Sequence, residues 1–182
     1  MKGIVFNLLE EVVCAEHSER SWDTLLDAAG VDGAYTSLGS YPDEDLFKLV
    51  SAAAKILNQS PDAVVQWFAR EALPLMATKY REFFSPHTST RSFLLTLNDV
   101  IHPEVRKLYP GANVPTFDYD TSSPDVLVMI YSSPRRLCSF AQGLIEGAAA
   151  YYGETLRFEQ PACMKRGDPK CLFRLSFSPK QA

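Results

Sequence analysis

The stretch IYSSPRRLC, residues 130–138, ends an apolar run (Val126, Leu127, Val128, Met129, Ile130) by setting Tyr131, Ser133 and Arg135 on alternate positions. In an extended chain alternate side chains face one way, roughly 6–7 Å apart. One face then carries a phenol, a hydroxyl and a guanidinium. That set can grip an acidic ligand with two or more oxygens, Arg135 supplying a bidentate fork and the hydroxyls single bonds. Pro134 falls on the opposite face and stiffens the strand end. The same pattern also describes a strand end that meets solvent, and spacing alone leaves both readings open.

His102 is one of three histidines and lies within the apolar-periodic stretch 93–108. A single imidazole is too little for a zinc site built from protein ligands, which takes three or four. It is enough for haem, where one proximal His can be the only protein bond to iron. A satisfied core or boundary histidine is the plainer alternative. Pro103 disfavours helical geometry at the residue before it and removes one helical hydrogen bond, so the chain is expected to be distorted at His102. Such a distortion either aims the side chain or ends one helix and begins another.

Cys138, Cys163 and Cys171 form the third constellation. Seven residues lie between the last two, with RGDP among them, so a hairpin can bring both thiols together, and Cys138 lies on the preceding helix. Three thiolates and one further ligand suit structural zinc; three unconnected reduced thiols are the other reading.

The elements that must position these residues follow from the rest of the chain. Its 182 residues suit one domain, alone or with a small subdomain. With 46% hydrophobic and 22% charged residues, a compact core is expected. The charge of −4, with scattered basic residues, argues against nucleic acid or an anionic membrane surface as partner. The start, MKGIVFNLLEEVV, lacks the features of a signal peptide. No run approaches the ~20 apolar residues of a membrane span, and a cytoplasmic protein is expected. Four cysteines without a CxxC pair point neither to a disulfide scaffold nor to covalent haem. No nucleophile, base and orienting partner stand together, so a binding or regulatory protein is expected rather than an enzyme.

Helical spacing of Ile4, Leu8, Val12 and Ala15 predicts a first helix. Ser21 reads as the cap of a second, and Pro42-Asp43 opens a third that ends near Asn58. Ser60-Pro61 is a cap with proline at the first helical position, and Pro74 is expected to kink or end the helix it starts. Ser89 or Thr90 caps the next, whose apolar face is Phe93, Leu94, Leu97, Ile101, Val105 and Leu108. After the break at residues 109–115 come strands over 116–120 and 126–133, a helix over 136–152, and strands near 155–163 and 170–177. The order predicts an α+β fold with a helical N-terminal part packed on a four-stranded antiparallel sheet and its helix.

Tyr131-x-Ser133-x-Arg135, preceded by His102-Pro103 and followed by the GLIEG helix (143–147), resembles the haem nitric oxide/oxygen binding (H-NOX) family, relatives of the haem domain of soluble guanylate cyclase. The similarity runs from the MKG start through HPEV, Pro115 and YSSPRR to the last hairpin. It implies a non-covalent haem b between an N-terminal part of about 1–60 and a C-terminal part of about 61–182. His102 would be the proximal iron ligand, and Tyr131, Ser133 and Arg135 would bond the propionates. Pro115 would press on the macrocycle. Val5, Leu9, Leu97, Phe140 and Leu144 would line the pocket.

Oxygen-binding members place a tyrosine at the position of Phe140. Phenylalanine offers no donor to bound dioxygen, so the resemblance implies a sensor of NO, also binding CO, that excludes O2. NO binding would weaken or break the Fe–His bond, and the altered surface would act on a separate partner, a histidine kinase or a cyclic-di-GMP enzyme in related bacterial systems. Some members also carry zinc on Cys, His, Cys and Cys. Cys138, Cys163 and Cys171 match the cysteines, but Gln160 stands where the pattern has His. Glutamine is a poor zinc ligand, which leaves either a weak zinc site or a redox-sensitive thiol cluster. The reading from another class is a haem-free module of similar fold that binds a different acidic small molecule or uses the cysteines for zinc or thiol chemistry.

Overall fold

Three helices open the chain, and the second and third end at residues in the left-handed conformation, Gly30 and Asn58. α1 (Gly3–Glu16) is followed by α2 (Glu19–Ala29), which begins where the Ser18 hydroxyl accepts from the Ser21 N–H at 3.2 Å. The cap is therefore Ser18 rather than Ser21. The extended backbone of Ser18 and the acidic Glu19 in the first turn start the helix three residues earlier than the sequence pattern suggests. α3 (Asp43–Leu57) carries three acidic residues in its first turn and ends at Asn58, which takes the left-handed conformation. The computed structural model describes residues 1–180.

α4 (Pro61–Lys79) starts as the sequence indicates, with Ser60 capping the Ala63 N–H. It then continues past Pro74, which neither ends it nor breaks it into two elements. Lacking an N–H, Pro74 leaves the carbonyl of Arg70 without its helical donor. That carbonyl is where α8 (Cys138–Tyr151) comes close: a Cβ on Gly147 would lie 2.8 Å from Arg70 O. At Gly143 the approach is tighter still, and a Cβ there would overlap Gln66 O and sit 2.8 Å from Ala69 Cβ. The two glycines of GLIEG thus let two helix backbones touch.

The single helix expected over residues 93–108 is three pieces. After the one-turn α5 (Arg81–Phe84), α6 (Thr90–Leu94) is capped by Ser89, a π-turn spans Leu97–Ile101, and α7 runs His102–Leu108. Ile101 N–H reaches Thr96 O at 3.0 Å and His102 N–H reaches Leu97 O, both five residues back. His102 itself is ordinary helix (φ −65°, ψ −37°), so the distortion lies in the turn before it rather than at the histidine. Pro103, which has no N–H to continue the wide turn, returns the chain to α geometry. Leu108, assigned to the apolar face, is exposed.

β1 (Thr116–Asp120), β2 (Leu127–Ser132), β3 (Glu154–Ala162) and β4 (Cys171–Pro179) form one antiparallel sheet in the order β1-β2-β4-β3. One apolar core unites this sheet with α8, α6 and the end of α4 through Phe93, Met129, Tyr131, Ile145 and Phe173. A second unites α1 to α3 with the start of α4 through Phe6, Trp22, Leu49 and Phe68. Met76 packs against both. Among the described residues no helix is long and apolar enough to cross a membrane.

Candidate functional site

Leu127, Met129 and Tyr131 alternate on the buried face of β2, so the phenol continues the core side of the strand. The strand stops at Ser132, however, and Ser133 to Arg136 form a turn rather than a further extended stretch. Ser133 O accepts from the Arg136 N–H at 3.1 Å, the Ser133 hydroxyl from the Arg135 N–H at 3.3 Å, and Arg136 takes a positive φ of 52°. Pro134 favours such a turn and cannot extend a strand as a donor. Ser133 is buried with Tyr131, while Arg135 turns outward to half-buried surroundings.

Arg135 reaches the other core. Its Nε donates to Asp43 Oδ2 at 2.6 Å and its Nη1 to Asn113 O at 2.6 Å. The amino group of Met1 donates to the second oxygen of Asp43, also at 2.6 Å. Burial alone would raise the Asp43 pKa; the hydrogen bonds and charges of Arg135 and the amino group outweigh it and hold the carboxyl below its usual value. Asp43 was legible only as a helix opener, because nothing local marks a partner 92 residues away.

His102 lies at the head of α7 with its Nδ1 buried and without a hydrogen-bond partner. Burial, aided by the charge of Arg106, lowers its pKa to about 4, so the imidazole is neutral near pH 7 and has a free lone pair. Its ring stacks on Phe117 of β1, with centroids 5.8 Å apart and planes at 27°. Phe117 in turn meets Tyr131 at 5.8 Å. Phe117 thus joins the histidine to the triad, and sequence reasoning missed it because it reads as one more strand aromatic. Burial pushes the Tyr131 phenol up to about 12, which leaves it a neutral donor.

The remaining apolar residues divide between the cores. Leu97 and Leu144 pack, half-buried, against the sheet core. Val5 and Phe140 pack, half-buried, against the helical one, in which Leu9 is fully buried; Phe140 meets Phe68 at 5.6 Å. Pro115 is half-buried in the segment leading into β1. A separate surface hollow of about 510 Å³, lined by His17, Trp67 and Arg70 among others, includes none of the residues singled out from the sequence.

The three thiols do converge. Cys138, Cys163 and Cys171 are buried with their sulfurs within 4.8 Å of one another, and Cys138 and Cys163 are 3.8 Å apart. Asp168 accepts from the Cys163 N–H at 2.7 Å, fixing the hairpin turn, and the Met164 N–H points at Cys171 Sγ at 3.2 Å. Burial pushes Cys171 up to about 12. In Cys163 burial acts the same way, but the backbone N–H groups of Lys165 and Arg166 and the two neighbouring thiols outweigh it and lower the pKa. Gln160 lies where β3 breaks register before Ala162, and its Nε2 is buried without a partner.

Residues 2–160 match the profile of the haem-NO-binding family. Among solved structures, the chain is similar to an H-NOX protein of Shewanella oneidensis in the Fe(II)NO ligation state, with 32% identity, a TM-score of 0.91, and 98% of this chain and 99% of that one covered. It is also similar to an H-NOX of Shewanella woodyi in the Fe(II)CO ligation state, at 28% identity and TM-score 0.84, covering 100% and 97%. The unliganded Fe(II) H-NOX of K. algicida shares the fold at 23% identity and TM-score 0.87, covering 100% and 99%. The breadth of the profile match and the agreement of the whole backbone with these structures place the chain in the haem-NO-binding, or H-NOX, family of haem-based gas sensors.

Proposed function

We propose that this protein is a nitric oxide sensor that holds haem b on His102. The observation that carries the reading is the buried, unpartnered Nδ1 of a desolvated, neutral imidazole. A buried polar atom without a partner costs about 1–3 kcal/mol, and ordering the ring as a metal ligand gives it a purpose. Half-buried Leu97 and Leu144 on the sheet core and Val5 and Phe140 on the helical core would offer apolar surface to a porphyrin. Tyr131, Ser133 and Arg135 supply neutral and cationic donors for two propionates.

When bound, haem would supply an iron able to take a diatomic gas, and His102 would be the residue that holds it. Everything else falls to the chain. His102 gives the single protein ligand. Tyr131 and Ser133 donate from the sheet core, while Arg135 shares its fork with Asp43 of the helical core, so the clamp spans both parts of the protein, about 1–60 and about 61–182. Pro115 stands before β1 to press on the macrocycle. Phe140 leaves the gas side without a donor, which favours NO and CO over O2.

A change in how His102 is held would shift the balance between two arrangements of the two parts, and the changed surface would act on a separate histidine kinase or cyclic-di-GMP enzyme. A ligand can do this only by binding the two arrangements unequally. The protein is read as a regulator without catalytic activity, working in the cytoplasm.

Hemin reconstitution followed by reduction tests the reading. The wild type is expected to show a Soret band that moves with NO and with CO and forms no stable oxy spectrum in air; His102→Ala is expected to lose it. A colourless wild-type protein refutes the proposal.

The thiol cluster supports a second, independent reading. Three sulfurs within 4.8 Å of one another would supply three of the four ligands that a structural zinc takes, and the family pattern's His is Gln160 here. Metal analysis of protein purified under reducing conditions separates a bound zinc from a metal-free cluster open to oxidation.

A further inference from the structure

We propose that Asn98 is a positioning residue that sets where the His102 imidazole stands, by pinning the π-turn before it onto the open edge of the sheet; the inference rests on His102 being the haem ligand. β1 is an edge strand, paired on one side only with β2. An edge strand leaves backbone groups unpaired. At Phe117 both are taken by one side chain: the Asn98 Nδ2 donates to Phe117 O, and the Phe117 N–H donates to Asn98 Oδ1 at 3.4 Å. A carboxamide carries the same donor and acceptor as a peptide unit. Asn98 therefore does for Phe117 what a neighbouring strand would do.

Asn98 is the second residue of the π-turn Leu97–Ile101. A wide turn inserts one residue, which re-phases the positions around it by about 100°. The turn thus presents Asn98 to β1 and places His102 on the residue Asn98 holds, for Phe117 also stacks on the imidazole. Backbone and ring of one residue are gripped by two side chains four positions apart. A second tie lies just upstream, where the Tyr119 hydroxyl donates to Leu94 O at 2.7 Å. Segment 94–102 is thereby fixed to β1 at two levels, and the ring of Phe117 carries the reference on to Tyr131 of the propionate clamp.

This arrangement resists movement of the imidazole away from β1. Were His102 to hold the haem iron, a pinned imidazole would be less able to move with the metal and would give up its bond more readily than an unpinned one. Asn98→Ala removes both hydrogen bonds. Asn98→Asp, nearly isosteric, keeps the acceptor for the Phe117 N–H and loses the donor to Phe117 O.

Two measurements decide. In the metal-free full chain, hydrogen exchange at the Phe117 amide is expected to speed up about fivefold in Asn98→Ala, the loss of one ordinary hydrogen bond, and less in Asn98→Asp. In the haem-loaded full chain, the iron–histidine stretching band is expected to shift, and the share of the NO complex that keeps its histidine to rise, in the order wild type, Asn98→Asp, Asn98→Ala. Unchanged exchange, or exchange that changes while the stretching band and the ligation share stay at wild-type values, overturns the pin. A wild-type protein that takes up no haem defeats the sensor reading instead, and the exchange rates together with the His102 ring signals of the metal-free protein still decide whether Asn98 positions the segment.

Discussion

Replacing Gly143 by alanine tests whether α4 and α8 touch backbone to backbone. In an open helix the change should stabilise, because alanine exceeds glycine by about 1 kcal/mol in helix propensity. Here the new methyl overlaps Gln66 O, a backbone atom of α4 that no rotamer change can move, and stands 2.8 Å from Ala69 Cβ. The helices must separate, and overpacking of this kind costs about 1–3 kcal/mol. With backbone on one side the upper end applies, so the net loss is about 2 kcal/mol. For a domain of this size that lowers Tm by roughly 4–8 °C. Gly147→Ala meets its nearest atoms at 2.8 Å, one of them the Leu73 side chain, and should cost less. Urea or thermal unfolding of the two variants is the assay, and the order Gly143→Ala below Gly147→Ala below wild type is the expected result. A Gly143→Ala protein as stable as wild type or more so refutes the close-contact argument. Since α8 carries Phe140 and Leu144, the same variant should also alter the spectrum of the haem-loaded protein.

Phe140→Tyr should add a donor on the gas side and give the reduced, haem-loaded protein a measurable oxy spectrum in air where the wild type shows none. Ser60→Ala removes the cap on the Ala63 N–H and should cost about 1 kcal/mol in chemical unfolding. Asp43→Asn should flatten the acid limb of stability: a carboxyl whose folded pKa is depressed stabilises above its unfolded value, near 3.9, and that contribution disappears as pH falls through the folded one. Unfolding curves between about pH 2 and 6 should therefore converge for the two proteins at the acid end, and parallel curves would count against the Arg135–Asp43 pair.

How far the sequence reveals these features depends on the range over which each cause acts. Ser60-Pro61, the Asn58 stop and the alternation of Leu127, Met129 and Tyr131 are local, and the elements they mark stand where the pattern puts them. The continuation of the helix through Pro74 was not legible, because a proline inside a helical pattern reads locally as a kink or a stop. The break at Leu97–Ile101 was half legible: Pro103 announces a disturbance but not its position one turn upstream. In the site, the cysteines singled out by type and spacing do converge, with the sulfurs of Cys138, Cys163 and Cys171 within 4.8 Å of one another. What the types could not carry was their partners. Asp43, Asn98 and Phe117 look like a helix start, a polar residue on a helix and a strand aromatic, and they acquire other roles only through contacts between distant segments.

The pairing of Arg135 with Asp43 bears most directly on how a signal could cross the molecule. The guanidinium belongs to the turn after β2, in the part built on the sheet, and the carboxylate to the first turn of α3, in the helical part. A propionate offered to Arg135 meets a fork already shared with one carboxylate, so holding both requires the two parts to keep a particular spacing. A charge-assisted hydrogen bond in such half-buried surroundings contributes about 1.5–3 kcal/mol, comparable to the coupling energies by which ligands bias two-state proteins. Rotation of one part against the other must stretch this link or carry the cofactor with it. On the proposed sensor reading, movement at His102 would reach α3 through the cofactor and Arg135 without any rearrangement inside either core.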